Sequence, residues 1–179
     1  MDATISKLWP TPLWIGRLEP TAETQQLAKL TTAEPQDVTH LRTTLAIMAA
    51  LEAAASCVSD SDGAPLTWVH NVERWHPAHH VGYSYSPAAI RILAVLDSTP
   101  PQQHQQSGEI RLHDPRAGAA NVALPGLPWG RPVTIQAITG EVIATPGWLP
   151  MSVAPVRTGH TVTVWTALGR HTTTPISRS

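Results

Sequence analysis

The chain has 179 residues and a formal charge of −1, which excludes the basic excess that a nucleic-acid or anionic-membrane surface needs. Its apolar content of 42% suffices for one packed core, and no apolar run approaches the roughly eighteen residues of a membrane span. A single cysteine, Cys57, excludes an intrachain disulfide, and residues 1–8 contain no signal-like apolar run, so a soluble cytoplasmic protein is expected.

In chain order, residues 8–18 read as an extended leading segment, because two prolines forbid a helix there and residues 13–15 suit an edge strand. Thr21 offers an N-cap for a short helix reaching Leu30. A long helix is expected over residues 36–58, where Leu41, Leu45, Met48, Leu51, Ala55 and Val58 recur at helical spacing. Asp37 would occupy its first turn, and the Ser/Asp/Gly run 59–63 would end it.

From Leu66 onward the pattern turns to short strands. The expected ones are 67–72, 89–96, 109–113, 133–138, 141–145, 151–155 and 161–168, with a tight hairpin at 138–141 and the longest connection at 115–132. Residues 100–106 form a Gln/His/Pro loop. Helices followed by strands imply an α+β fold with an antiparallel barrel or sandwich.

Four strings, in order, resemble a group of bacterial 2-oxoglutarate/Fe(II)-dependent oxygenases. Residues 8–14 (Leu-Trp-Pro-Thr-Pro-Leu-Trp) are similar to that group's Phe-Pro-Thr-Pro-type opening, and Asn71 and Arg74 to its Asn-x-x-Arg. Residues 107–116 (Ser-Gly-Glu-Ile-Arg-Leu-His-Asp-Pro-Arg) resemble its Gly-x-Leu-x-Phe-x-Asp-Pro-Arg, and residues 145–159 its Pro-Ser-Trp-Leu-x-His-x-Val-x-Pro-x-x-x-Gly. The resemblance spans residues 8–167. It implies N-terminal helices packed on a double-stranded β-helix, a jelly-roll or cupin-like barrel. The expectation is one domain over residues 1–170, helical over 20–60 and barrel over 66–168, with 171–179 a flexible tail.

The same resemblance removes the iron. Where the group carries His-x-His or His-x-Asp, residues 81–88 offer no His, Asp or Glu; its distal histidine falls on Met151, and its cosubstrate arginine on Thr161. Non-haem iron needs two imidazoles and a carboxylate, so neither a metal nor any other cofactor is expected. The stretch His76, His79 and His80, with His113 or His160, is the alternative metal set; a solvated or mouth-lining loop is the plainer reading. His113 and Asp114 form a potential acid–base pair, although Asp114 suits a turn cap better.

Arg91 interrupts an apolar strand and must be paired, functional or solvated. If Thr161 stands for an inward arginine, alternation sends Thr163 and Trp165 into the barrel and Val162 and Val164 out. With seven Trp, two Tyr and no Phe, an aromatic pocket is then expected. Its catalytic candidates are Tyr83, Tyr85, Arg91 and Thr161, and its lining candidates His79, His80, Trp148, Met151, Thr163 and Trp165.

The function expected from these residues is a metal-independent, cofactor-free cyclase or isomerase acting on a small apolar, natural-product-like molecule. The alternatives are a non-catalytic scaffolding pseudo-enzyme, or an active oxygenase with His79, His80 and His160 as relocated ligands. Neither a nucleic-acid nor a membrane partner is expected, and homodimerisation stays open.

Overall fold

The computed structural model describes residues 3–8 (backbone only), 11–30, 34–43, 45–58, 65–99, 106–116 and 131–172. The expected loop at 100–106 and the connection at 115–132 therefore lie almost wholly outside the described residues, as do 173–179 of the expected tail. Among the described residues no helix is long and apolar enough to cross a membrane.

The strands are β1 (Ala3–Leu8), β2 (Thr11–Arg17), β3 (Gln36–Asp37), β4 (Leu66–Trp75), β5 (Val81–Ser84), β6 (Ile90–Thr99) and β7 (Ile110–Leu112). They continue as β8 (Val133–Ile135), β9 (Glu141–Pro146), β10 (Met151–Val153) and β11 (Thr161–His171). A seven-stranded sheet runs β1-β2-β9-β6-β11-β4-β3, and a four-stranded sheet runs β5-β10-β7-β8, with every pairing antiparallel. From β4 onward the chain passes back and forth between the two sheets, with only β7 and β8 following each other in the same one, in the manner of a double-stranded β-helix.

Two helices, α1 (Ala22–Lys29) and α2 (Ala46–Ala55), cover the outer face of the larger sheet. Thr21 caps α1 as expected: its hydroxyl accepts the Thr24 N–H at 3.2 Å, and Thr24 Oγ1 accepts the Thr21 N–H at 2.8 Å. The long helix expected over 36–58 is cut to less than half. Asp37 Oδ1 accepts the Thr39 N–H at 2.8 Å, while Val38 N–H donates to the His70 carbonyl at 2.9 Å. Those bonds draw Gln36 and Asp37 onto the edge of β4 as β3, followed by a 3₁₀ turn (Thr39–Thr43). Local side-chain bonding and edge pairing override the helical pattern there.

Other boundaries also shift. The segment 13–15 belongs to a strand that lies inside the larger sheet, paired to β1 and β9, rather than at its edge. Strand β5 is an addition to the expected set. The turn at 138–141 forms, with Gly140 at φ 90° and Glu141 N–H bonding Ile138 at 3.0 Å, but it joins strands of different sheets and so closes no hairpin.

The larger sheet separates two cores. On its helix side Trp14, Trp68, Val72, Ile92, Ala94 and Trp165 meet Leu27, Met48 and Leu51. Between the sheets Trp75, Leu93, Val95, Ile143, Val162 and Val164 meet Ile110, Leu112, Leu149, Met151 and Val153. The parity expected for β11 is thus reversed: Val162 and Val164 point into the barrel, while Trp165 points at the helices.

A buried polar group ties the helix layer to the sheet. Arg42 grips Glu52 with Nε at 2.8 and 3.0 Å and Nη2 at 2.7 Å. His70, fully buried between Trp68 and Trp165, brings Nε2 within 2.9 Å of Glu52 Oε1, close but poorly aligned for a hydrogen bond.

Candidate functional site

Strand β6 carries Arg91 into the barrel, directly opposite Thr145 on β9 and Leu168 on β11. Its inward neighbours along the strand, Leu93 and Val95, are core residues, so the guanidinium sits at the end of the barrel where apolar packing stops. Arg91 is 8% exposed, and its hydrogen bond to protein is Nη2–H to the Leu149 carbonyl at 2.9 Å. No carboxylate among the described residues pairs with it. Burial alone pulls its pKa down to about 10, which still leaves it charged at neutral pH. Beside it Thr145, 2% exposed, keeps a hydroxyl with no partner among the described residues.

This end is closed by two clamped segments. Ser86 N–H donates to the Gly147 carbonyl at 2.9 Å and Gly147 N–H to the Ala89 carbonyl at 3.0 Å. A Cβ on Gly147 would meet the Ala88 carbonyl oxygen at 1.8 Å, so only glycine permits the approach. The clamp sets Tyr85 and Trp148, 73% and 48% exposed, on adjoining segments, and the carbonyl that holds Arg91 follows Trp148 directly.

The other expected site residues scatter. Tyr83, 64% exposed, tilts against His113 at 5.1 Å between ring centres, and His113 Nε2 lies 2.8 Å from Ser152 Oγ, so this group faces outward from the smaller sheet. Met151 is inside the barrel as expected, but packed among Leu112, Leu149 and Val153. Thr161 lies seven positions along β11 from Leu168, the partner of Arg91, or roughly 23 Å away. Thr163 points away from the barrel and accepts a long 3.4 Å bond from Arg74 Nε. Trp165 belongs to the helix-side core. His79 stacks on Trp75 at 5.3 Å, and the exposed His80 turns Nδ1 to the Ala78 carbonyl at 3.2 Å.

These positions do not fit the iron and 2-oxoglutarate that the resemblance implies. The distal position presents a packed thioether, and among the described residues no three of His, Cys, Asp and Glu converge as a metal requires. Of the relocated set, His160 is engaged elsewhere. Ser107 Oγ lies 2.7 Å from its Nδ1 and Ser98 Oγ 3.1 Å from its Nε2. The proton of Ser98 goes to the Ala137 carbonyl at 2.6 Å, so its oxygen accepts Nε2–H. Nδ1 then accepts from Ser107, whose oxygen accepts the Arg157 N–H at 2.8 Å. Every group is satisfied only with a neutral ring. This staple pins the end of β6 to the β6–β7, β8–β9 and β10–β11 connections at the far end of the barrel. The sequence reading missed it, since two serines distant in sequence carry no local signal. Asp114, by contrast, caps its turn: Oδ1 accepts the Arg116 N–H at 3.1 Å.

Burial holds His70, His79, His113 and His160 below the ordinary histidine value of 6.5. As pH falls below about 6.5, the unfolded chain therefore takes up protons before the folded chain does, so stability is full above that pH and is lost progressively beneath it. Urea midpoints taken from about pH 7.5 down to about pH 5 are expected to fall, and a flat profile would contradict this account.

Among the described residues, a recess beside the 138–141 turn and another between α1, α2 and Trp165 are no larger than a water molecule. Neither is lined by Arg91, Thr145 or Met151.

No protein-family model and no curated protein matches the sequence. Solved structures do match. HygX from Streptomyces hygroscopicus, solved with nickel and 2-oxoglutarate bound, aligns over 87% of this chain and 81% of its own, at 13% identity and a TM-score of 0.56. A prolyl-4-hydroxylase from Pseudomonas putida aligns over 84% and 78%, at 14% identity and a TM-score of 0.55. A 2OG-Fe(II) oxygenase-family oxidoreductase from Burkholderia pseudomallei aligns over 95% and 73%, at 13% identity and 0.51. The chain thus has the double-stranded β-helix fold that these oxygenases share.

Proposed function

We propose that this chain is an oxygenase-fold protein that works without iron or 2-oxoglutarate and takes a small organic molecule at the Arg91 end of its barrel. One observation carries the reading. Where the sequence resemblance would put the metal ligands, the described residues offer a thioether and exposed phenols. The strongest polar groups nearby are a buried guanidinium and a buried hydroxyl, both short of acceptors. Such donors suit an organic ligand and repel a cation.

The packed interior moves the expected pocket outward. Cyclisation or isomerisation would take place at the mouth, among Tyr85, Trp148 and Arg91, where holding one reactive conformer can lower a barrier by several kcal/mol. The same packing favours a second reading, binding without turnover, because the described barrel residues leave the substrate no enclosed chamber.

Iron uptake and cosubstrate consumption test the proposal directly. The purified full chain, incubated anaerobically with Fe(II) and then desalted, is expected to retain no stoichiometric iron and to leave 2-oxoglutarate unconsumed in air. Stoichiometric iron with 2-oxoglutarate turnover would overturn it.

A further inference from the structure

We infer that the Arg91 end of the barrel is a carboxylate site, in which the guanidinium of Arg91 and the hydroxyl of Thr145 together grip the carboxylate of a small organic acid. This inference rests on the proposed function above and names the ligand's chemical class.

The argument is a count of donors. A guanidinium has five N–H groups in a planar fork. One of those of Arg91 is met by the Leu149 carbonyl, and no described acidic group meets the rest. Two inward acids stand four register positions away: Glu141 on β9, four residues before the Thr145 that faces Arg91, and, two strands over on β4, Glu73. Glu73 pairs with Val164, four positions from Leu168 on β11, or roughly 13 Å from Arg91 along the strand. Glu73 is also occupied, accepting the indole N–H of Trp75 at 2.9 Å. Thr145 adds one more unspent donor, on the strand adjacent to Arg91 and facing the same interior.

Cross-strand neighbours of this kind stand about 5 Å apart at Cβ, within the span of one carboxylate. A carboxylate supplies roughly four acceptor sites and matches the guanidinium fork in two parallel bonds. Phosphate would carry more charge into a site with a single cation, so the smaller monoanion fits better. The exposed rings of Tyr85 and Trp148 at the same end favour an acid with a flat or apolar body.

A structural arginine would behave differently. Buried cations kept for stability sit against a carboxylate or several carbonyls, and removing one leaves its partner stranded. Arg91 leaves one carbonyl. In the absence of ligand, Arg91→Met is therefore expected to unfold at a higher urea concentration than the parent chain.

Calorimetric titration of the full chain with benzoate and with its neutral isostere benzamide tests the inference. Benzoate is expected to bind at least tenfold more tightly than benzamide. Arg91→Gln is expected to abolish that preference, and Thr145→Val, the same shape without the hydroxyl, to weaken benzoate severalfold. If Arg91→Gln does not fold, Thr145→Val and the benzoate-to-benzamide ratio of the parent chain decide the matter. Equal binding of the two probes overturns the carboxylate site but leaves the mouth as the ligand site. Binding of neither overturns the carboxylate site and also removes the support for the mouth. A preference that survives in Arg91→Gln overturns the role of this arginine.

Discussion

Truncating Trp165 to alanine is expected to destabilise the protein by about 3–5 kcal/mol while leaving any binding at the barrel mouth unaltered. The ring is 1% exposed and stacks on His70 at 5.4 Å with planes 9° apart. It shares the helix-side core with Leu27, Met48 and Leu51. Among the described residues its indole N–H, though buried, has no partner, so that donor adds no stability. Trp165→Phe should accordingly recover most of the loss. Urea unfolding with an unchanged m-value checks the magnitude. A Trp165→Ala chain that kept its stability but lost ligand binding would return this residue to the pocket where sequence alternation had put it.

Gly147→Ala is expected to cost about 3 kcal/mol, from overpacking and lost backbone bonds together. The added methyl would press on the Ala88 carbonyl oxygen at 1.8 Å, the Ala88 carbon at 2.8 Å and the Ser86 oxygen at 2.9 Å. All three are backbone atoms, so relief requires the two clamped segments to part. Parting them breaks the Ser86–Gly147 and Gly147–Ala89 bonds and moves the Leu149 carbonyl off Arg91. The variant should therefore lose mouth binding as well as stability, the reverse of the pattern for Trp165→Ala. Gly82→Ala is the control, because a Cβ there meets nothing within 4 Å.

The fold was legible where residues repeat a period over a long stretch. Strands β6 and β11 announce themselves as β-branched runs, and the four ordered strings set them in the right architecture. Strand β5 escaped because Val-Gly-Tyr-Ser is short, holds a glycine and shows no clear alternation. The residues before α2 misled because Leu41 and Leu45 keep helical spacing through a 3₁₀ turn. The site was read less well, and for one reason. The parity of β11 was anchored on Thr161 standing for an inward arginine, and a wrong anchor inverts every residue of a strand. Val162 and Val164 are the better anchors, since strict alternation of valine with threonine favours the apolar valine in the core. His70 was legible and overlooked: in Trp68-Val-His-Asn-Val72 it shares its face with Trp68 and Val72. Thr145 and the Ser98–His160–Ser107 staple depend on contacts between distant segments, which no local pattern encodes.

The place of β11 in the larger sheet bears on how the chain comes off the ribosome. It is the last of the described strands in sequence, yet it lies between β4 and β6, so that Leu66 waits for His171 and Ile90 for Gly169. Until that strand emerges, β4 and β6 expose long apolar edges with nothing beside them. Pairings so remote in sequence close slowly and leave a nascent chain open to wrong partners. A stalled chain that stops at Gly159 should engage holdase chaperones strongly and release them once residues 161–171 have been added.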